Sequence, residues 1–245
     1  MRLSPLLALL LAVPLPAESI LVDHTSVAKA DALPKEALDR ARKLDVLFGH
    51  QSVGGNILEG LSELAEAKPD RYALERTENP EADWFRENDG LGDFAVGENE
   101  DPMRKIEDFR TRVSETYGDV VSVAMFKLCF VDLPEEGADP KEVFEAARTA
   151  IEGLEKEHPK VVFVWWTCPL ATDGNSARLE YARLVRTYCR EKGKALFDLA
   201  DIECDGKGDA LKQEWTDDGG HLNEAGRARA ARAFWVLLAR LAGAG

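Results

Sequence analysis

The chain predicts an α/β fold, a doubly wound three-layer αβα sandwich around a mostly parallel sheet of about five strands. Three observations predict it. Short apolar runs of strand length alternate with amphipathic stretches of helical period through most of the chain. The run from Val120 to Phe130 is apolar almost throughout, as a strand must be when both its faces are covered. Successive strand runs are joined by helices, which makes the sheet parallel and its crossovers right-handed.

The elements follow in order. A helix is expected over Leu33–Leu44, opened by Pro34 in its first turn. Asp45–Gly49 reads as a buried strand ending at glycine. Val53–Ala67 reads as a helix with Ile57, Leu58, Leu61 and Leu64 on one face. Arg71–Arg76 is expected to be a second strand. Glu78–Asp101, rich in Asn, Asp, Glu, Gly and Pro, reads as one long irregular loop, and a loop of that length is often functional. A helix then runs from Pro102 to Tyr117. Three strand–helix units complete the chain: strand Val120–Phe130 with helix Pro140–Glu157, strand Val161–Thr167 with helix Ser176–Lys192, and strand Ala195–Leu199 with helix Asn223–Leu241. In such sheets ligands bind beyond the carboxyl ends of the strands, where the segments 49–55 and 215–222 converge.

Composition narrows the function. The 245 residues carry a net charge of −14, which excludes a nucleic-acid partner and disfavours an anionic membrane surface, because both require a basic face. Arg2 followed by the apolar run Leu6–Leu15 and by Pro16–Ala17 reads as an export signal with cleavage near Ala17. The run is shorter than the roughly 20 apolar residues a membrane span needs. Residues 18–245 are then expected to form a single secreted or periplasmic domain. The even set Cys129, Cys168, Cys189 and Cys204 permits two disulfides in that compartment. Cys129 and Cys168 end consecutive strands, which allows a bridge between them. No CxxC or HExxH spacing occurs, and no metal or cofactor is implied.

Three features carry chemistry. In Gly49–His50–Gln51–Ser52–Val53–Gly54–Gly55 a strand stops and a helix begins at a serine. There the free N–H groups and the helix dipole would stabilise an oxyanion. Helix capping is the competing use of that serine. In Asp218–Gly219–Gly220–His221–Leu222–Asn223 the carboxylate is within reach of the imidazole Nδ1, which leaves Nε2 free to take a proton. The third feature is the set of aromatics Trp84, Phe85 and Trp215 in loops, able to line a sugar or acyl pocket. Trp165 and Trp166 point to opposite faces of a strand and are most simply core.

The early Ser and the D-x-x-H-L-N-x-x-G element before the last helix resemble the SGNH/GDSL hydrolases, whose sheet is of the flavodoxin-like kind. The resemblance spans roughly Leu44 to Leu241. It implies Ser52 as nucleophile, His221 as general base and Asp218 as its orienting carboxylate. Two blocks depart from the family pattern. His50 and Gln51 stand between Gly49 and Ser52 where the family has G-D-S. The strand-end segment Lys127–Asp132 lacks the family's oxyanion Asn. A donor must therefore come from the Ser52 N–H, from Lys127, or from Gly97 and Asn99, and His50 could bind substrate. The resemblance implies a secreted serine esterase acting on a small-molecule or carbohydrate ester, O-acetyl groups included. Two rivals stay open: an inactive domain that binds glycan, and a metal hydrolase built on His50, His221 and Asp218.

Overall fold

The computed structural model describes residues 19–243. The export signal expected over residues 1–17 lies outside them. The first strand, β1 (Leu21–Val22), enters a 3-10 helix over His24–Ala32, capped by the Asp23 carboxylate on the Thr25 N–H. Helix α1 (Lys35–Ala41) has Pro34 at its N-cap and leads to β2 (Asp45–His50) and α2 (Val53–Ala67).

The next stretch differs most from expectation. Arg71–Arg76 is not a strand. Pro69 opens a single helical turn, α3 (Pro69–Tyr72), whose Tyr72 is buried and donates its hydroxyl to the Ala30 carbonyl at 3.2 Å. The strand β3 (Arg76–Glu78) follows. The expected long loop is instead structured, with α4 (Trp84–Glu87) and the strand β4 (Gly90–Ala95). Its Gly-Leu-Gly-Asp-Phe-Ala sequence has poor strand propensity, and packing overrides that. A Cβ at Gly92 would lie 2.5 Å from the Phe85 ring and 2.7 Å from Pro80, so the close approach of α4 to the sheet requires glycine there.

Of the remaining elements the helices keep close to their sequence patterns, whereas the strand expected over Val120–Phe130 is confined to Val123–Phe126 and Phe130 opens a 3-10 turn. Helix α5 (Pro102–Arg112) runs into a π turn over Val113–Tyr117. Then come β5 (Val123–Phe126), α6 (Pro140–Glu157), β6 (Val162–Trp166) and α7 (Ser176–Lys192). After β7 (Ala195–Phe197), a short helix α8 (Leu199–Cys204) that the sequence reading did not separate precedes α9 (Glu224–Leu241). Asn223 caps α9 through the Gly226 N–H at 3.2 Å.

The sheet has seven strands in the order β1-β7-β6-β5-β2-β4-β3, every pair parallel. The class is the one expected; the two extra strands are the dipeptide β1 at one edge and β4, inserted between β2 and β3. Alternation along the central strands divides the core into two layers. Val46, Phe48, Val123, Met125, Val164 and Trp166 face α1, α2 and α9. Leu47, Ala124, Phe126, Phe163 and Trp165 face α5, α6 and α7.

Candidate active site

The site sits where β2 ends. Register with β4 holds the strand through His50, one residue further than the Gly49 stop read from sequence. Gln51 then turns the chain, and its Nε2 donates to the carbonyls of Val96 and Gly97 at 2.8 and 2.9 Å, tying the turn to the segment after β4. Ser52 adopts φ 53° and ψ −118°, a conformation that side chains bearing a Cβ rarely tolerate. Its hydroxyl makes no capping bond to α2. Instead Ser52 Oγ lies 2.6 Å from His221 Nε2. The competing use of this serine is thus not realised.

Immediately past the turn, the N–H groups of Ser52 and Val53 have no acceptor among the described residues, and of the two only Ser52 is partly exposed. Gly54 is required for a different reason. A Cβ there would lie 2.4 Å from the His50 Cβ, so helix and strand meet at van der Waals distance.

The second half of the site is a knotted turn before α9. Asp218 Oδ2 is 2.7 Å from His221 Nδ1, while its Oδ1 accepts the N–H groups of His221 and Gly220 at 2.8 and 2.9 Å. Those two backbone donors, and then the imidazole, hold the Asp218 carboxyl well below the usual carboxylate range. Thr216 Oγ1 accepts the Gly219 N–H at 3.0 Å, and Leu222 pairs back to Thr216 to close the turn. The turn is anchored to α2 by Asn56, whose Oδ1 accepts the Leu222 N–H at 3.1 Å. Asn56 lies one helical turn from Ser52, so the same helix positions both members of the Ser52–His221 pair. Asn56 belongs to none of the motifs singled out above; its one signal in the sequence is a polar residue at i+4 from the serine.

The other sequence-nominated residues fall into different roles. Lys127 is buried and gives its Nζ to the Leu128 carbonyl at 3.0 Å and to Cys129 Sγ at 3.4 Å, so it is spent inside the fold and does not serve as an exposed donor. The Gly97 N–H is engaged by Asp108 Oδ2 at 2.9 Å. Asn99 is exposed, with its Oδ1 held by Lys105 Nζ at 2.8 Å. His50 turns into the sheet, where Nε2 meets Asp93 Oδ2 at 3.1 Å, and its ring packs 4.9 Å from that of Phe48. It is therefore not brought together with His221 and Asp218, and the three do not form a metal-binding set.

A different group, Asp23, His24 and Asp201, places potential ligand atoms within 4.8 Å of one another at the β1–β7 edge of the sheet. There His24 donates its backbone N–H to Asp201 Oδ2, and its ring Nδ1 lies 2.5 Å from the same oxygen, while Asp23 caps the 3-10 helix. Local hydrogen bonding accounts for this cluster.

The cysteine expectation is corrected. All four are free and buried, and Cys168 Sγ donates to the Cys129 carbonyl at 3.3 Å. Burial pushes both the Cys168 and the Cys189 thiols well up, which leaves both inert as nucleophiles. Nor do the loop aromatics line a pocket beside Ser52. Phe85 is buried against Trp84 and Tyr117, and Trp215 is sandwiched by Lys212 and Arg229.

A buried ion pair went unread in the sequence. Lys105 and Asp132, both without exposed side-chain surface, are joined at 2.7 Å. Asp132 also accepts the N–H groups of Cys129 and Glu100 at 2.6 and 2.8 Å. The pair thereby links the segments that follow β4 and β5, on either side of Ser52.

This sheet, with a serine after a central strand and an Asp-x-x-His turn before the last helix, has the fold of the SGNH/GDSL hydrolases. Among solved structures it is similar to an acetyl xylan esterase, at 17% identity and a TM-score of 0.51 over 78% of this chain and 97% of that one. It is also similar to a GDSL-like lipase from Bacteroides thetaiotaomicron, at 14% identity and a TM-score of 0.51 over 90% of this chain and 97% of that one. No family model and no curated protein matches the sequence.

Proposed function

We propose that the chain is a divergent serine esterase of the SGNH/GDSL type. The observation that carries this reading is the strained Ser52, whose Oγ is 2.6 Å from an imidazole that is itself 2.7 Å from a carboxylate. His221 Nε2 takes the Ser52 proton as Oγ bonds to the ester carbonyl carbon. The carbonyl oxygen becomes an oxyanion beside the free, partly exposed Ser52 N–H at the start of α2. His221 then gives the proton to the alcohol oxygen as the C–O bond breaks, and water repeats the cycle on the acyl-enzyme. Asp218 stays ionised across this cycle and holds the imidazole in the tautomer with Nδ1 protonated. Likeness in fold to an acetyl xylan esterase supports an O-acyl group on carbohydrate as the substrate. The reading includes an exported protein acting outside the cytoplasm, on the strength of residues 1–17.

A second reading, a glycan-binding domain without turnover, is favoured by two features: the Gly97 N–H is engaged by Asp108, and the β5 end offers no asparagine. A fluorophosphonate probe separates the two. The wild-type protein is expected to be labelled and to hydrolyse a short-chain aryl ester, and Ser52→Ala to do neither. A folded wild-type protein that takes no label overturns the esterase reading.

A further inference from the structure

Beside His221 lies a cleft of about 540 Å³, formed by the segments that follow β5 and β6 together with Glu100. Phe130 belongs to both places. Its ring lines the cleft and stands edge-on to the His221 ring at 5.4 Å. The imidazole turn is pressed against this wall so closely that a Cβ at Gly220 would lie 2.6 Å from the Phe130 ring.

The charge of the cleft is one-sided. Glu100, Glu135 and Asp173 are exposed carboxylates on its lining. Asp132 at its floor is neutralised by Lys105. The one cation on the lining, Arg178, is 7% exposed. Its Nε is committed to the Phe130 carbonyl and its Nη1 to the Gly174 carbonyl and Asn175 Oδ1. Glu100 is held on the rim by an unusual backbone, with φ 70° fixed by its N–H bond to Asp132 at 2.8 Å.

In a Ser–His esterase the imidazole that took the serine proton returns it to the leaving oxygen, so the alcohol half of the substrate lies on the imidazole side. We propose that this cleft is the alcohol subsite, and that it takes a neutral or cationic polyhydroxyl alcohol and rejects an acidic one. The proposal rests on the serine-esterase reading. Carboxylates accept hydrogen bonds from hydroxyls and attract cations, and the Phe130 ring, with the Arg178 guanidinium 5.9 Å from its centroid, offers apolar surface to a sugar. An alcohol bearing a carboxylate meets three exposed like charges, with only the buried Arg178 opposing them.

The test uses acetate esters of one benzyl alcohol scaffold carrying a carboxylate, a carboxamide or a trimethylammonium group. Each kcat/KM is divided by the ester's own hydroxide-catalysed rate. The wild-type protein is expected to disfavour the anionic ester about tenfold relative to the carboxamide at low salt, and to accept the cationic ester at least as well. The triple variant Glu100→Gln, Glu135→Gln, Asp173→Asn is expected to bring the anionic ester within about twofold of the carboxamide. A control that removes the same charge from distant exposed positions, Glu36→Gln, Glu66→Gln, Glu191→Gln, is expected to keep the wild-type ratio. Equal use of the anionic and neutral esters by the wild type, an unchanged ratio in the cleft variant, or equal narrowing in the control overturns the subsite. No turnover of any ester together with no probe labelling overturns the nucleophile reading instead, and the subsite with it.

Discussion

Ser52 sits in a backbone conformation that glycine adopts freely and other residues adopt at a cost. Strain of this kind persists only where the surrounding structure enforces it. Here the enforcers are the Gln51 side chain bonded to the β4 end and the abrupt start of α2. Ser52→Gly is therefore expected to be more stable than Ser52→Ala by about 1 kcal/mol in chemical denaturation, although both lose activity. Equal stability would mean that the turn is not strained. For Asp218, replacement by Asn removes the charge and permits the wrong imidazole tautomer. Asp218→Asn is expected to lower kcat by about 10³-fold or more with little change in KM, measured on an aryl ester.

At the scale of elements, the site depends on two segments far apart in sequence that α2 brings into register. Asn56 makes the direct bond, from the helix that begins at Ser52 to the Leu222 N–H beside His221. Asn56→Ala leaves that N–H without its acceptor. We expect a loss of about 1 kcal/mol in stability and about tenfold in kcat, from looser alignment of imidazole and hydroxyl. Unchanged probe-labelling kinetics would show that the turn before α9 holds itself. The element most at odds with its sequence is β4. It is glycine-rich and carries a charged residue, yet it is buried between β2 and β3, with Asp93 paired to His50 and Arg76.

Across the whole molecule, ionisable groups are buried behind the strand ends, whereas Asp218 and His221 in the site are exposed. Glu203 on α8 is fully enclosed and accepts the Leu170 N–H at 2.6 Å. Burial pushes its carboxyl from 4.5 up to about 8. Its folded-state value lies above its unfolded one. The contribution to stability is complete below about 4.5 and is lost as pH rises toward 8. Glu203→Gln keeps the acceptor and cannot ionise. Its melting temperature is expected to match wild type near pH 4.5 and to exceed it increasingly up to pH 8. Parallel curves for the two proteins would place the Glu203 ionisation elsewhere.

The sequence by itself determined the layered α/β class, the bounds of α2, α6 and α7, and the two segments that meet at the site. The reason is local. Helical period, buried-strand runs and strand-to-helix junctions are written in neighbouring residues, and Ser52, Asp218 and His221 all lie at such junctions. Only the tertiary structure decided the rest. Strand β4 exists because Gly92 fits beneath Phe85 and Pro80, and Lys127 is lost as a donor because the fold closes over it. Likewise His50 pairs inward with Asp93, the four cysteines stay unbridged, and Lys105 and Asp132 meet from segments 27 residues apart. Each of these depends on which side chains share a buried volume, and no local pattern in the chain encodes that.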